Sequence, residues 1–135
     1  MTVELSADQR ALQARVREFA QDHVRKRAPE TDQSEQYPWD IVEKMVESGF
    51  FGMTVPTAYG GQGRSYLDAV LLIEEMAKEC GVTGRIAVEA NMGAISAIMA
   101  YGSDEQKNWL LIWCWRVISQ RAAAPSPLPA VRQQR

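Results

Sequence analysis

Three groups of charged side chains in this sequence have residue types and spacings that could support chemistry. Glu74 and Glu75 are adjacent carboxylates, and paired carboxylates can act as a general acid and a general base. Adjacent residues of a helix point about 100° apart, however, so these two are not expected to share a site. Arg25, Lys26 and Arg27 could clamp a phosphate group. They fall in the last turn of a predicted helix, where the helix dipole favours positive charge, so we interpret them as a solvated helix end.

Arg85 and Glu89 form the third group. They are the only charged residues between positions 85 and 101, where aliphatic residues, methionines and alanines dominate. Their spacing of four residues puts them on one face of a helix, where they can form an ion pair. The pair could simply mark a helix edge, or it could form a polar floor in an otherwise apolar cavity. Both interpretations stay open at this point.

The other reactive residue types are too sparse for a metal centre or a catalytic triad. His23 is the only histidine, and the two cysteines, Cys80 and Cys114, have no metal-ligand spacing around them. No dinucleotide-binding glycine motif follows a predicted strand, and no phosphate-binding loop is present. We therefore assign no catalytic, cofactor-binding or metal-ligating residue in this chain.

A glycine-rich and apolar stretch over residues 49–63 separates two helical patterns and organises the rest of the chain. Its glycines allow backbone angles that a side chain would obstruct, and its proline biases the preceding residue towards an extended conformation. The stretch is either a well-packed connection between helices or a loop that lies against a ligand or a neighbouring domain. The residues that define it are Pro56, Tyr59, Gly60, Gly61 and Gly63.

Hydrophobic periodicity and capping residues predict an all-α fold with about five helices in a bundle-like domain. The first helix is expected over residues 6–27, where a serine and a glutamine form a capping box. Residues 28–36 are polar and contain a proline, so we predict a connection there. A second helix is expected to begin near Pro38 and to stop at Gly49.

The third helix is expected to begin with a capping serine at Ser65 and to end at Gly81. Gly84 then precedes a fourth helix over residues 85–101. Because this fourth helix is apolar on nearly all sides, we expect it to be central and buried. A further capping box over residues 103–106 predicts the start of the fifth helix.

Charge and hydropathy exclude several classes of partner. The formal net charge of the 135-residue chain is −2, which gives no reason to expect a nucleic-acid partner. The amino-terminal residues lack the apolar core of a signal peptide, and no apolar run of about 18 residues could span a membrane. A cytoplasmic protein is the expectation that fits best.

The composition changes after residue 111. All 17 acidic residues precede that point, while residues 112–135 contain four arginines and three alternating prolines. Such a segment is predicted to stay extended or disordered. We therefore assign residues 1–111 to one helical domain and residues 112–135 to an atypical Pro/Ala/Arg-rich tail. The tail is either the real terminus, a linker to a further domain, or the product of a shifted reading frame. We favour the last interpretation because arginine, alanine, proline and serine dominate wrong-frame translations of GC-rich coding DNA.

Residues 4 to about 110 resemble the amino-terminal helical domain of acyl-CoA dehydrogenases. Most of the resemblance lies in residues 49–63, with the order Gly-Phe-Phe-Gly-Met-x-Val-Pro-x-x-Tyr-Gly-Gly-x-Gly. Two other stretches extend it, namely Ile-Glu-Glu-Met-Ala over residues 73–77 and Tyr-Gly-Ser-Asp-Glu-Gln-Lys over residues 101–107. The motifs are long, mixed in residue type and correctly placed between helices, which makes the resemblance specific.

The resemblance implies an FAD-dependent oxidoreductase of fatty acid metabolism that oxidises an acyl-CoA thioester between its α and β carbons. Members are commonly homotetramers, and they usually pass electrons to an electron-transfer flavoprotein. In the family, the helix that matches residues 85–101 lines the acyl-chain pocket. The pocket residues implied by position are Arg85, Glu89, Ala90 and Gly93, of which the last two would leave room for substrate.

The resemblance extends over only the first of the family's three domains. The middle-domain segment that contacts flavin and the catalytic glutamate of the carboxy-terminal domain have no counterpart in this sequence. We therefore expect the isolated chain to be inactive as a dehydrogenase. The alternative function is a stand-alone helical module that binds an acyl-CoA or docks onto another subunit, and a purely structural bundle is the third.

Overall fold

A computed structural model describes residues 4–111 of the chain, and most of them are helical. The helices are α1 (Ala7–Phe19), α2 (Arg25–Ser34), α3 (Trp39–Glu47), α4 (Tyr66–Glu79), α5 (Gly81–Asn91) and α6 (Gly93–Tyr101). A π-helical turn (Ala20–Val24) joins α1 to α2, a 3-10 turn (Thr57–Tyr59) lies in the glycine-rich loop, and residues 104–111 are helical as well. Residues 4–111 contain no strand, so the all-α prediction is confirmed. The tail predicted over residues 112–135 lies outside the described residues.

Serine capping boxes start three of the helices at the predicted positions. The Ser6 hydroxyl accepts a hydrogen bond from the Gln9 amide (3.1 Å), and the Gln9 side chain accepts one from the Ser6 amide (3.0 Å). Ser65 makes the same reciprocal pair at the start of α4, and Ser103 makes it at the start of the 104–111 helix. Each box satisfies two amides that would otherwise lack a partner in the first helical turn, which is why these boundaries can be predicted locally.

The connection predicted over residues 28–36 is wrong, because α2 continues through Pro29 to Ser34. Proline removes one helical hydrogen bond, but contacts with other elements hold this helix in place. Arg27 on α2 pairs with Asp40 on α3 (3.0 Å), Arg25 pairs with Glu79 on α4 (3.2 Å), and Thr31 is buried. Tertiary contacts therefore outweigh the local preference of the proline.

One apolar core holds α1, α3, α4, α5 and the glycine-rich loop together. One stripe of the first helix faces it, together with the apolar faces of α3 and α4 and the start of the loop. Its members are Leu12, Val16, Phe19, Ala20, Val24, Ile41, Val42, Met45, Phe50, Phe51, Met53, Leu72, Met76, Ile86 and Ala87. The loop is thus part of the core and not an appendage to it. No helix within residues 4–111 is both long and apolar enough to cross a membrane.

The junction of α4 and α5 differs from the prediction that Gly81 ends one helix and Gly84 precedes the next. Cys80 is extended and breaks the helix, Gly81 is the first residue of α5, and Gly84 lies in the first turn of α5. A Cβ atom at Gly84 would lie 2.6 Å from the Cβ of Ala77. Gly84 therefore allows α5 to pack closely against α4, and its missing side chain serves packing instead of helix termination.

The single buried helix expected over residues 85–101 is also wrong. The backbone breaks at Met92, whose φ of −133° is not helical, and α5 and α6 lie on either side of it. Five residues of α5 are buried, whereas α6 has no buried residue within the described part of the chain. The apolar sequence of α6 therefore covers a surface of this domain and not its centre.

Candidate functional site

The glycine-rich loop is a packed connection whose amides bond within the chain. The amide of Gly52 donates to the Ala90 carbonyl (3.1 Å), and the amide of Gly63 donates to the Val55 carbonyl (2.8 Å). The amide of Gly60 donates to the Thr57 carbonyl (3.0 Å), and the amide of Gly61 donates to the Pro56 carbonyl (3.2 Å). Any Cβ atom at Gly61 would collide with the backbone and side chain of Val55. The glycines therefore let the loop fold tightly onto itself.

Asn91, which is not among the residues predicted from the sequence, joins this loop to the end of α5. Its side chain is fully buried and makes three hydrogen bonds. It donates to the carbonyls of Phe50 and Ala87 (3.0 Å each) and accepts from the Met53 amide (2.8 Å). The backbone carbonyl of Asn91 also accepts from the Thr54 hydroxyl. A lone asparagine in an apolar segment was the available signal, since a buried amide needs partners.

These contacts explain why the helix breaks at Met92. The last carbonyls of a helix have no partner within it and need donors from elsewhere. The loop supplies them, because the Gly52 amide bonds to Ala90 and the Thr54 hydroxyl bonds to Asn91. With these acceptors satisfied by the loop, α5 can end and α6 can start in a new direction. The loop thus fixes both helices relative to itself.

An apolar pocket of about 150 Å³ lies between the loop, α5 and α6. Its walls are mostly aliphatic and aromatic, with one carboxylate among them. The lining residues are Phe51, Gly52, Val55, Tyr59, Gly61, Glu89, Ala90, Ala94, Ile95, Ile98 and Leu111. A small concave apolar site with one charged group is typical of a binding site for a small ligand.

The structure brings Arg85 and Glu89 together at this pocket. The Arg85 guanidinium donates to one oxygen of Glu89, with distances of 2.8 Å from Nε and 2.6 Å from Nη2. Their side chains are 76% and 47% exposed, so the ion pair lies at the surface. The other carboxylate oxygen of Glu89 lies over Gly93, where any Cβ atom would collide with it. The space above Gly93 is therefore filled by the Glu89 side chain.

The residues singled out from the sequence thus divide into two sets. Glu89, Ala90, Tyr59 and Gly61 line the pocket. Arg85 reaches it only through its ion pair with Glu89. The others do not line it and are Pro56, Gly60, Gly63 and Gly93. The role of Arg85, Glu89, Ala90 and Gly93 as substrate-pocket residues stays a prediction.

Glu74 and Glu75 point to different environments, as expected from their adjacency on α4. Glu75 is buried and accepts two hydrogen bonds from Arg17 on α1, at 3.0 and 2.9 Å, and a third from Lys78 (2.9 Å). Hydrogen bonding from Arg17 outweighs burial and lowers the pKa of Glu75 to about 2. Glu74 is half-exposed and pairs with Lys78 (3.0 Å). Glu75 therefore links α4 to α1, and the two carboxylates do not form a shared acid–base site.

The basic cluster at residues 25–27 opens α2 and does not end a helix. Each of its members is paired with a carboxylate: Arg25 with Glu79 (3.2 Å), Lys26 with Asp22 (3.7 Å), and Arg27 with Asp40 (3.0 Å) and Glu30 (2.8 Å). These acids neutralise the cluster, so it does not form a phosphate clamp. Within residues 4–111, no three histidine, cysteine or acidic side chains are grouped so that they could hold a metal ion.

The fold and the pocket define an all-α domain that holds a small apolar cavity between a glycine-rich loop and a broken helix pair. A family model described as the N-terminal domain of acyl-CoA dehydrogenase matches residues 6–114. The chain belongs to the acyl-CoA dehydrogenase family and represents its N-terminal domain, as the sequence motifs predicted.

Three relatives illustrate this membership. The 3-sulfinopropanoyl-CoA desulfinase of Variovorax paradoxus is 57% identical over 103 residues, which are 76% of this chain and 26% of that protein. The short-chain-specific acyl-CoA dehydrogenase of Clostridium acetobutylicum is 35% identical over 112 residues, which are 83% of this chain and 30% of that protein. A solved chain described as an electron transferring flavoprotein of Acidaminococcus fermentans has a TM-score of 0.69 and 28% sequence identity. The match covers 83% of this chain and 30% of that chain. The chain therefore spans less than a third of the length of these relatives.

Family membership implies FAD as the cofactor of the whole enzyme, but the glycine-rich loop does not fit its pyrophosphate. Phosphate-binding loops present free amides to the anion. Here the amides of Gly52, Gly60, Gly61 and Gly63 all donate to carbonyls of the chain itself. The pocket is also mostly apolar, with Glu89 as its charged group, and a carboxylate repels phosphate. The glycine-rich loop and this pocket therefore do not form a flavin-phosphate site.

Proposed function

We propose that this chain is the acyl-binding wall of an enzyme that acts on a short acyl-CoA with a sulfino group on its acyl part. Four relatives with 53–57% identity over 103 or 104 residues are named 3-sulfinopropanoyl-CoA desulfinases. Relatives named as acyl-CoA dehydrogenases are 34–35% identical. This gap in identity favours an anionic acyl substrate over a plain fatty acyl chain.

The observation that carries the proposal is the arginine at the edge of the apolar pocket. A plain acyl chain gains nothing from a cation, whereas a sulfinate needs one as its partner when it leaves water. Arg85 is paired with Glu89, whose carboxylate opposes an anion, so Arg85 has to leave this ion pair to bind one. Its side chain is 76% exposed and is free enough to turn from Glu89 towards the sulfinate. The pocket volume of about 150 Å³ suits a short acyl group. We infer that Arg85 binds the sulfinate and that the apolar wall receives the three-carbon chain.

The described residues contribute binding and orientation but no reacting group. Desulfination exchanges a carbon–sulfur bond for a carbon–hydrogen bond, and with water as co-reactant the sulfur leaves as sulfite. The groups that carry out this exchange belong to the other parts of the enzyme. We therefore keep the expectation that the isolated chain has no catalytic activity, and flavin bleaching with an acyl-CoA by this chain alone would contradict it.

The test is a chimera in which residues 1–111 replace the matched segment of the Variovorax paradoxus desulfinase. We expect the chimera to release sulfite from 3-sulfinopropanoyl-CoA. Arg85→Met should raise KM for that substrate by roughly 10- to 100-fold, since a hydrogen bond to a charged group contributes about 1.5–3 kcal/mol. Arg85→Lys keeps the charge and should retain part of the affinity.

The matched control is the affinity of the same chimeras for propanoyl-CoA, which has no anionic group on its acyl part. Arg85→Met should leave this affinity nearly unchanged. An equal loss for both ligands would show that Arg85 supports the fold of the pocket and does not read the sulfinate. A folded chimera that never releases sulfite would contradict the substrate class itself.

The second candidate is α,β-dehydrogenation of a short unsubstituted acyl-CoA. It is supported by the 35% identity to the short-chain-specific enzyme and by the small pocket. In that case we propose a homotetrameric, cytoplasmic FAD enzyme with an electron-transfer flavoprotein as its redox partner. A chimera that reduces a dye with butanoyl-CoA and releases no sulfite would favour it. Binding of acyl-CoA by the isolated chain without FAD would instead favour a stand-alone module.

A further inference from the structure

The carboxylate of Glu89 contacts both Arg85 and Gly93 at the edge of the apolar pocket. One carboxylate oxygen accepts from two nitrogens of Arg85, at 2.8 and 2.6 Å. The other oxygen lies over Gly93, and the three atoms nearest to a Cβ atom built there would all belong to Glu89. The missing side chain of Gly93 therefore leaves the space in which Glu89 lies while it pairs with Arg85.

This arrangement opposes the binding of an anion at Arg85. The carboxylate neutralises the guanidinium, and it also lines the pocket, where it repels a second negative charge. An anionic acyl group therefore has to displace Glu89 before it reaches Arg85. We propose that Glu89 is a displaceable counter-ion, which competes with the anion of the acyl-CoA for Arg85 and so limits how tightly that anion is held. This inference rests on the proposed function, in which Arg85 binds the sulfinate.

The ion pair is weak enough for a substrate to displace it. Both side chains are partly in water, Arg85 at 76% and Glu89 at 47% exposure. An ion pair this exposed favours its closed arrangement by up to about fivefold. A hydrogen bond from a cation to a sulfinate that leaves water contributes roughly 10- to 100-fold. The sulfinate therefore displaces Glu89, and the released carboxylate turns from the space over Gly93 into water.

The same competition acts on the anionic product. When water has replaced the carbon–sulfur bond by a carbon–hydrogen bond, sulfite remains beside Arg85, and the propanoyl group on CoA carries no charge that could hold the cation. Glu89 lies four positions from Arg85 on the same helix, so it competes with sulfite as an intramolecular ligand at high effective concentration. Glu89 therefore weakens substrate binding but promotes the release of sulfite.

The experiment uses Glu89→Gln in the chimera described above, since glutamine keeps the size of the side chain and removes its charge. We expect KM for 3-sulfinopropanoyl-CoA and the inhibition constant of sulfite each to fall about 3- to 10-fold. The inhibition constant of propanoyl-CoA should change by less than about twofold, because this ligand has no anion for Arg85. Glu74→Gln is the matched control. It also removes one negative charge from an exposed pair of residues four apart, but Glu74 does not line the pocket, so all three constants should stay nearly unchanged.

Adding Arg85→Met separates competition for the cation from simple repulsion. Glu89→Gln should give a clearly smaller gain in the Arg85→Met background, because no cation is left to be released. An equal gain in both backgrounds would overturn the proposal, and so would weaker binding of all three ligands, which would indicate a structural role. If Arg85→Met leaves KM for 3-sulfinopropanoyl-CoA unchanged, the proposed function itself is wrong. A loss in Arg85→Met without any gain in Glu89→Gln would contradict the counter-ion role alone.

Discussion

Removing the charge of Glu75 should destabilise the domain in a way that depends on pH. Glu75 is 3% exposed and joins α4 to α1 through two hydrogen bonds from Arg17. The Glu75→Gln variant keeps the shape and one acceptor oxygen but loses the negative charge. We expect it to fold and to be less stable than the parent chain at neutral pH.

The size of the effect follows from the pKa of Glu75, which falls from 4.5 to about 2. At 1.36 kcal/mol for each pKa unit, such a shift corresponds to an upper bound of roughly 3 kcal/mol. Arg17 and Lys78 are 51% and 48% exposed, so water screens part of their attraction to the carboxylate. We therefore expect a loss of about 2 kcal/mol in the free energy of unfolding.

The sign of the pH dependence is fixed by the direction of the shift. The folded pKa lies below the unfolded one, so the contribution of Glu75 is fully present above the unfolded value of 4.5. It is lost as the pH falls towards about 2, where the folded carboxylate becomes protonated. The stabilities of the parent chain and Glu75→Gln should therefore converge over this window.

The measurement is urea unfolding followed by far-ultraviolet circular dichroism at a series of pH values. Glu74→Gln is the matched control, because Glu74 is the adjacent residue, is 53% exposed and pairs with the half-exposed Lys78. Its effect should stay within about 0.5 kcal/mol. A stability gap between parent and Glu75→Gln that is the same at about pH 7 and about pH 3 would refute the reasoning, since a gap caused by ionisation must close.

Three further predictions concern packing. Asn91→Leu should lower the free energy of unfolding by about 3–5 kcal/mol, because it leaves the buried partners of three hydrogen bonds unpaired. Urea unfolding with unchanged cooperativity would measure this loss. Gly84→Ala should lower the free energy of unfolding by roughly 1–3 kcal/mol, because it forces α5 away from α4. Adding Ala77→Gly to the same chain should restore part of this loss, and strictly additive effects of the two substitutions would contradict a direct contact between the two positions. Gly61→Ala should lower the melting temperature and loosen the loop, because the added methyl group collides with Val55. The looser loop should show faster hydrogen exchange of the Gly63 amide, and an unchanged exchange rate would contradict this prediction.

The helix starts could be predicted from the sequence because their causes are local. A serine and the residue three positions later complete each capping box, so Ser6, Ser65 and Ser103 determine their boundaries almost independently of the rest of the chain. Pro29 shows the limit of such reasoning. Its effect depended on contacts of α2 with distant residues, such as the ion pair between Arg27 and Asp40, and no local pattern reveals these.

The sequence predicted a helix at the pocket and some of the positions that line it, but not the shape of the pocket. Periodicity placed Arg85 and Glu89 on one face, and the structure shows their ion pair. The break at Met92 was not visible, because its cause is the docking of a loop that lies about 40 positions earlier in the chain. The filling of the space above Gly93 by the Glu89 carboxylate could not be predicted either, since it depends on a side-chain rotamer.

The buried side chain of Asn91 influences the order in which the domain folds. Its bonds to Phe50 and Met53 span 41 and 38 positions, whereas α4 and α5 are joined by a single residue. Closing a loop of that length costs roughly 3 kcal/mol of chain entropy before any of these bonds form, so the α4–α5 hairpin should nucleate first. The last turn of α5 then stays frayed until the loop arrives. The pocket is therefore completed in a late step of folding, because one of its walls forms only when the loop has docked.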